Sequence, residues 1–436
     1  LSCLCNSAFR INDQYWVGPL GRDAQAALGA STFVMVLNFA LYFLAVAGSM
    51  AKVAKATGAG DRAAQEKAIH HGLALSTGIA LCVGVVGYQA APWLVRMLGL
   101  SAGVGEAALE YIRGTYWMAL PIALAPLLDN LFLSMGDTRT PLKLQMLAIA
   151  SNFVLNPLLI YGGLPGSEGT PTVFLGVYGA AYATGISRAL AVLVALWVLV
   201  HRKGIRLIPH GRLSLPELAH VARVGMPSCV SIAIYGGVYL TITERIFQYL
   251  PDAALAGFGI GFNAFEAVSY PTFFGIALAG ASMVGRALGA GDLELAQRVV
   301  VTVRRIALTA GVLAGVLFVV LGPWIVPAFT SEPEVAHQAL VYLGILAFSQ
   351  VFVALETASE NVLIGSGHTK PIFWISVPGN LARVPLGILL ALTWGWGPAG
   401  LWWAINITSI AKALALHALV VRGRWKHALP APLATP

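Results

Sequence analysis

Carboxylates in or beside the strongly apolar stretches of this 436-residue chain include Asp13, Asp129, Glu244, Glu266, Glu356 and Glu360. A low-dielectric surround disfavours the charged form of an acid, so such a group can take up and release a proton near neutrality. It can equally meet Na⁺ or an organic cation. Glu356 and Glu360 stand four apart, which puts both on one helix face. Arg383, in the following apolar stretch, is a candidate counter-ion for one of them. Asn152 and Asn156 have the same spacing and present two amides on one face. Glu266 precedes Tyr270 by four residues, an arrangement that gives a cation site an aromatic wall. Structural readings compete with each of these. The glutamate pair also suits a buried ion pair, the amides suit hydrogen-bonded helix packing, and Glu244, next to Arg245, suits a solvated face.

The elements that hold these groups have the composition of membrane helices. Hydrophobic residues make up 58 % of the chain and charged residues 11 %, against about 25 % charged in ordinary soluble domains. So little charge cannot cover a soluble surface, which excludes a soluble enzyme, a DNA-binding protein and a disordered scaffold. Apolar stretches of membrane-crossing length occupy residues 27–50, 73–94, 107–135, 142–161, 177–200, 221–242, 254–281, 306–328, 335–364, 372–394 and 401–421. A shorter stretch, 1–15, has neither a basic n-region nor a cleavage motif and reads as part of a first helix, not as a signal peptide. The expected fold is all-α and polytopic: twelve transmembrane helices, the first truncated.

The net charge of +8 has its explanation in the loops. Of the 27 Lys and Arg residues, 19 fall on one side of the alternating connections and four on the other. By the positive-inside rule this puts both termini in the cytoplasm, and no nucleic acid is needed to account for the charge. Cys3, Cys5, Cys82 and Cys229 lie in apolar stretches without metal-ligand spacing, and the nine histidines are scattered, so neither a metal site nor a disulfide framework is expected.

The chain repeats itself. Gly58-Ala59-Gly60-Asp61 returns as Gly289-Ala290-Gly291-Asp292, and Asp129-Asn130 as Glu360-Asn361, both at an offset of 231. Gly136 and Gly367, and Asp13 and Glu244, obey the same offset. Six spans per repeat return the chain to its starting side. The two lobes are therefore expected to be parallel and related by a pseudo-two-fold axis along the membrane normal, an architecture of transporters. The expected division is an N-terminal lobe over 1–200, a cytoplasmic linker over 201–219, a C-terminal lobe over 220–422 and a cytoplasmic tail over 423–436.

Several ordered motifs carry a resemblance. They are Asp13-Gln14-Tyr15-Trp16-Val17-Gly18-Pro19-Leu20-Gly21 at the end of the first helix, the two Gly-Ala-Gly-Asp turns, Gly136-Asp137-Thr138-Arg139-Thr140-Pro141, and Asn152-Phe153-Val154-Leu155-Asn156-Pro157. On twelve spans, this set resembles the multidrug and toxic compound extrusion (MATE) transporters, in particular their prokaryotic branch with damage-inducible and archaeal-type members. The resemblance implies a monomeric antiporter of a bacterial or archaeal cytoplasmic membrane. It would exchange H⁺ or Na⁺, with no other cofactor, for amphipathic, mostly cationic drugs. It also implies that Asp13 is the coupling carboxylate, with Asn152 and Asn156 in hydrogen-bonding reach. Capping of the helix end is the structural alternative for Asp13. Relatives often carry Asp where this chain has Asn156, and Asn cannot ionise. Glu266, Tyr270, Glu356, Glu360 and Arg383 would form a second-lobe acidic or substrate site, with Asp129 and Glu244 as further intramembrane acids. Two other functions compete with the exporter. A lipid-linked oligosaccharide flippase of the same superfamily would show a cationic cleft, and an intramembrane transferase would need aspartate clusters or paired catalytic histidines.

Overall fold

Backbone amides in a bilayer have no water to bond to and must be satisfied within the segment. Among the described residues helices and turns are the only secondary structure. The computed structural model describes residues 2–98, 100–162, 175–206 and 213–427, except the side chains of residues 2–7, 10, 22 and 33. The helices are α1 (Ser2–Val17), α2 (Arg22–Gly58), α3 (Arg62–Met97), α4 (Ala102–Trp117), α5 (Ala119–Ser134), α6 (Arg139–Tyr161), α7 (Gly176–His201) and α8 (Leu215–Arg245). They continue with α9 (Asp252–Ile260), α10 (Ala267–Gly289), α11 (Leu293–Ile325), α12 (Pro333–Ser366), α13 (Lys370–Leu381), α14 (Arg383–Gly387) and α15 (Pro398–Val421). Ten stretches are long and apolar enough to cross a membrane, and the α4–α5 pair adds an eleventh. The sixteen-residue α1 is the short first helix.

Three expected spans prove to be interrupted, each for a local reason. The fourth, read as one helix, breaks at Met118 with a bend of 59° between α4 and α5. Pro121 has no N–H to return to the Trp117 carbonyl, so the helical ladder stops there. The eleventh breaks at Ala382, three residues before Pro385, which leaves the Leu381 carbonyl without a donor in the same way. The eighth runs Asp252–Gly289 but passes through a π-helical turn at Gly261–Glu266.

The described chain divides into two compact units. The first comprises Leu1–Val53 and Asp61–Gly225, the second Ala54–Gly60 and Met226–Pro436. In the first, α7 packs on α4, α5 and α6, and α1 lies against α6 and α7. In the second, α12 is the central helix, packed by α9, α10, α11 and α15. The stretch expected to link the halves packs into the first unit. Ser214 N–H donates to His71 Nε2 (3.1 Å), Glu217 pairs with Lys52 and Lys67, and the unit boundary falls inside α8. Residues 207–212 of that stretch, 163–174 of the longer first-half loop and 428–436 of the tail lie outside the described residues. Asp137, in the turn before α6, accepts from Thr140 and pairs with Lys203 at 2.8 Å. Burial pushes its carboxyl up, but the Lys203 and Thr140 hydrogen bonds outweigh that and hold it at about 2.

The repeated Gly-Ala-Gly-Asp turns do the same job twice. Asp61 caps α3 through Ala64 N–H (2.9 Å), and Asp292 caps α11 through Leu295 N–H (2.8 Å). Gly58 and Gly289 permit a backbone crossing: a Cβ on Gly58 would overlap the Arg286 carbonyl, and one on Gly289 the Lys55 carbonyl. Gly289→Ala should therefore destabilise the purified protein by about 1–3 kcal/mol, read as a lower thermal midpoint. An unchanged midpoint would mean that the two helix ends separate at no cost.

Candidate functional site

In the first unit, three helices converge on one carboxylate. Asp13, on α1, is only 4 % exposed. It accepts from Asn156 Nδ2 (2.8 Å) and Asn152 Nδ2 (3.4 Å) on α6, and from Thr184 Oγ1 (2.9 Å) on α7. Asn12 Nδ2 donates to Asn152 Oδ1 (2.7 Å), and Asn152 Nδ2 also reaches Thr184 Oγ1 (3.1 Å), so the amide is held from both ends. Among the described residues every hydrogen-bonding neighbour of Asp13 is neutral, and each donates. That is the surround of an ionised carboxylate, which can only accept. Asn156 Oδ1 is buried without a hydrogen-bond partner among the described residues, leaving an oxygen free for a cation. The i, i+4 spacing expected on α6 thus puts both amides on Asp13, and the helix-cap reading of Asp13 does not describe this position.

One turn along α7 from Thr184, the Arg188 guanidinium lies over the Phe9 ring at 4.8 Å, within electrostatic reach of both Asp129 and Asp13. Asp129 accepts from Gln145, sixteen residues ahead on α6. Glu360 accepts from Ser376, also sixteen residues ahead, on α13. The duplication has therefore preserved the pairing of a buried acid with the helix that follows it.

The second unit builds a different constellation. Glu266 closes the π-helical turn, and Tyr342 Oη donates to its Oε1 at 2.6 Å. Two features fix that contact. Gly261 has no side chain where the Tyr342 ring passes, since a Cβ there would overlap the ring. Trp402 also holds the ring edge-on at 4.8 Å. Tyr270, expected as the aromatic wall, is instead half-exposed and stacked on Phe274 at 6.1 Å.

The expected counter-ion is likewise corrected. Arg383 does not pair with Glu356 or Glu360. It donates to Thr408 (3.1 Å) and Ser409 (2.9 Å) on α15 and lies over the Tyr235 and Tyr239 rings at 5.5 and 5.8 Å. Lys412, also on α15, takes the role, with Nζ at 2.6 Å from Glu356 Oε1 and 2.8 Å from Asn380 Oδ1. Its stem crosses Gly379, where any side chain would block it. Glu244 sits exposed at the C-terminal end of α8 beside Arg245.

Sequence reasoning missed Thr184, Tyr342 and the pairing of Lys412. A Thr or Tyr in an apolar helix carries no signal of its own. Lys412 did carry one, as a lone lysine in a membrane helix, but its partner lies 56 residues away.

The MatE family model matches residues 1–158 and 227–389, a segment in each half. The chain is 27 % identical over 445 residues to a Pseudomonas aeruginosa protein called probable multidrug resistance protein NorM, covering 98 % of this chain and 87 % of that one. A Thermotoga maritima protein of the same description is 26 % identical over 429 residues, covering 96 % and 89 %. A solved structure described as the outward-facing conformation of a multidrug resistance MATE family transporter matches with a TM-score of 0.88 at 21 % identity, over 98 % of this chain and 94 % of that one. At that identity the likeness establishes the fold.

Proposed function

The chain belongs to the MatE family of multi-pass membrane transport proteins, and from that premise we propose that it exports amphipathic, mostly cationic compounds in exchange for H⁺ or Na⁺. Asp13 is the coupling carboxylate. The observation that carries this reading is the set of neutral donors from α6 and α7 that converge on Asp13 of α1. A buried anion without a hydrogen-bonded cation binds a proton or a small cation in exchange for costly isolation. Neutralising Asp13 removes the reason for Asn152, Asn156 and Thr184 to point their donors at it. The three helices then shift, which releases a compound bound by the first lobe. The relatives named as multidrug resistance proteins support a drug substrate. The protein works as a monomer in a bacterial or archaeal inner membrane, with both termini cytoplasmic, and its lobes alternate access. Drug uptake into everted vesicles, under an imposed proton gradient and then under a sodium gradient, tests the exporter reading. One of the two gradients should drive accumulation; accumulation under neither would refute it.

The second-lobe acids supply charge selectivity. Glu266→Gln should weaken binding of cationic compounds about tenfold or more, since a hydrogen bond involving a charged group contributes roughly 1.5–3 kcal/mol. Neutral compounds should bind nearly as before. An equal loss for both classes, measured by equilibrium binding, would make the Glu266–Tyr342 contact purely structural.

A further inference from the structure

A crevice of about 250 Å³ opens in the second unit between α11, α12 and α15. Its apolar floor includes Val301 and Val421. Its polar wall has Arg304 on α11, His417 on α15, and Lys426 in the short turn Arg424–His427. Among the described residues no Asp or Glu lines it. Among the described residues, none of these three side chains has a hydrogen-bond or ion-pair partner. Arg298, less than two turns from Arg304, does have one in Glu294. Arg304 and His417 line the same crevice and lie within electrostatic reach of each other. Trp425 is 2 % exposed and donates Nε1 to the Val420 carbonyl (2.8 Å), which pins the turn that carries Lys426.

From Val301, helical spacing continues the same face of α11 through Val312 and Val319, both more than half exposed. Cationic groups without counter-charge thus stand at the mouth of an apolar track, at the end of the unit that bears the basic loops. A free anion would satisfy the charges but not the track. An anionic phospholipid satisfies both, and basic pockets between membrane helices are known to take such headgroups. We propose that this crevice binds the phosphate of an anionic phospholipid through Arg304 and Lys426, with its acyl chains lying along the exposed face of α11.

The test is binding of phosphatidylglycerol, phosphatidylcholine and inorganic phosphate to the full chain in neutral detergent, followed by native mass spectrometry. Phosphatidylglycerol should bind at least about tenfold more tightly than phosphatidylcholine, and the Arg304→Gln, Lys426→Gln double variant should lose most of that preference. Arg304→Lys should keep it. If the double variant fails to fold, Lys426→Gln alone should still reduce the preference severalfold. A variant that retains the full preference, or inorganic phosphate that binds as tightly as the lipid, would overturn the proposal.

Discussion

Asp13→Asn should abolish gradient-driven export while leaving the protein folded and inserted. Asn is nearly isosteric with Asp, so the packing of α1 on α6 and α7 survives. What disappears is the only ionisable group in the ring of Asn152, Asn156 and Thr184. The expected loss is total because coupling requires a site that exists in two charge states, and Asn has one. Export in vesicles gives the reading, with thermal melting as the control for folding. Asn156→Asp is the informative companion. It places a second carboxylate at hydrogen-bonding distance from the first, and two such groups titrate as a coupled pair. The pH dependence of export should then broaden or split. A single unchanged transition would mean that position 156 does not share the ion with Asp13.

The second large effect is on stability. Lys412→Met should cost about 3–5 kcal/mol, the usual penalty for removing one partner of a buried ion pair. The Lys412 side chain is 4 % exposed and that of Glu356 13 %, so water cannot replace the lost ammonium. Asn380 Oδ1 loses its donor as well. Adding Glu356→Gln should restore most of the loss, because the penalty comes from the stranded carboxylate and not from the missing attraction. Thermal unfolding of the two variants side by side checks this. A single variant that melts within a degree or so of the parent would mean that the pair is solvated.

What was legible in the sequence follows the physics of each feature. Asp13, Asn152 and Asn156 could be read because polar residues in apolar helices are rare, and a four-residue spacing fixes a shared face. The repeat could be read because one offset recurs in turns and acids alike, and the matched pairs Asp129–Gln145 and Glu360–Ser376 follow it. The partners across helices could not be read. Arg383 lies on the span after Glu356, yet its planar guanidinium goes to two tyrosine faces and two hydroxyls. The flexible stem of Lys412 reaches the acid instead. Tyr270 had the right spacing from Glu266, but packing around Gly261 brings in Tyr342 from α12. The breaks at Met118 and Ala382 were foreshadowed by Pro121 and Pro385. The 59° bend at Met118, though, depends on how neighbouring helices take up the freed carbonyl.

The central claim is that Asp13 holds the ion that the exported compound displaces. It is tested most directly by ion release on drug binding, measured in detergent with a pH-sensitive dye and, in parallel, with radioactive sodium. Binding to the parent protein should release one of the two ions, while Asp13→Asn should bind the same compound and release neither. Undiminished release from the variant would contradict the account and move the coupling site to the glutamates of the second unit.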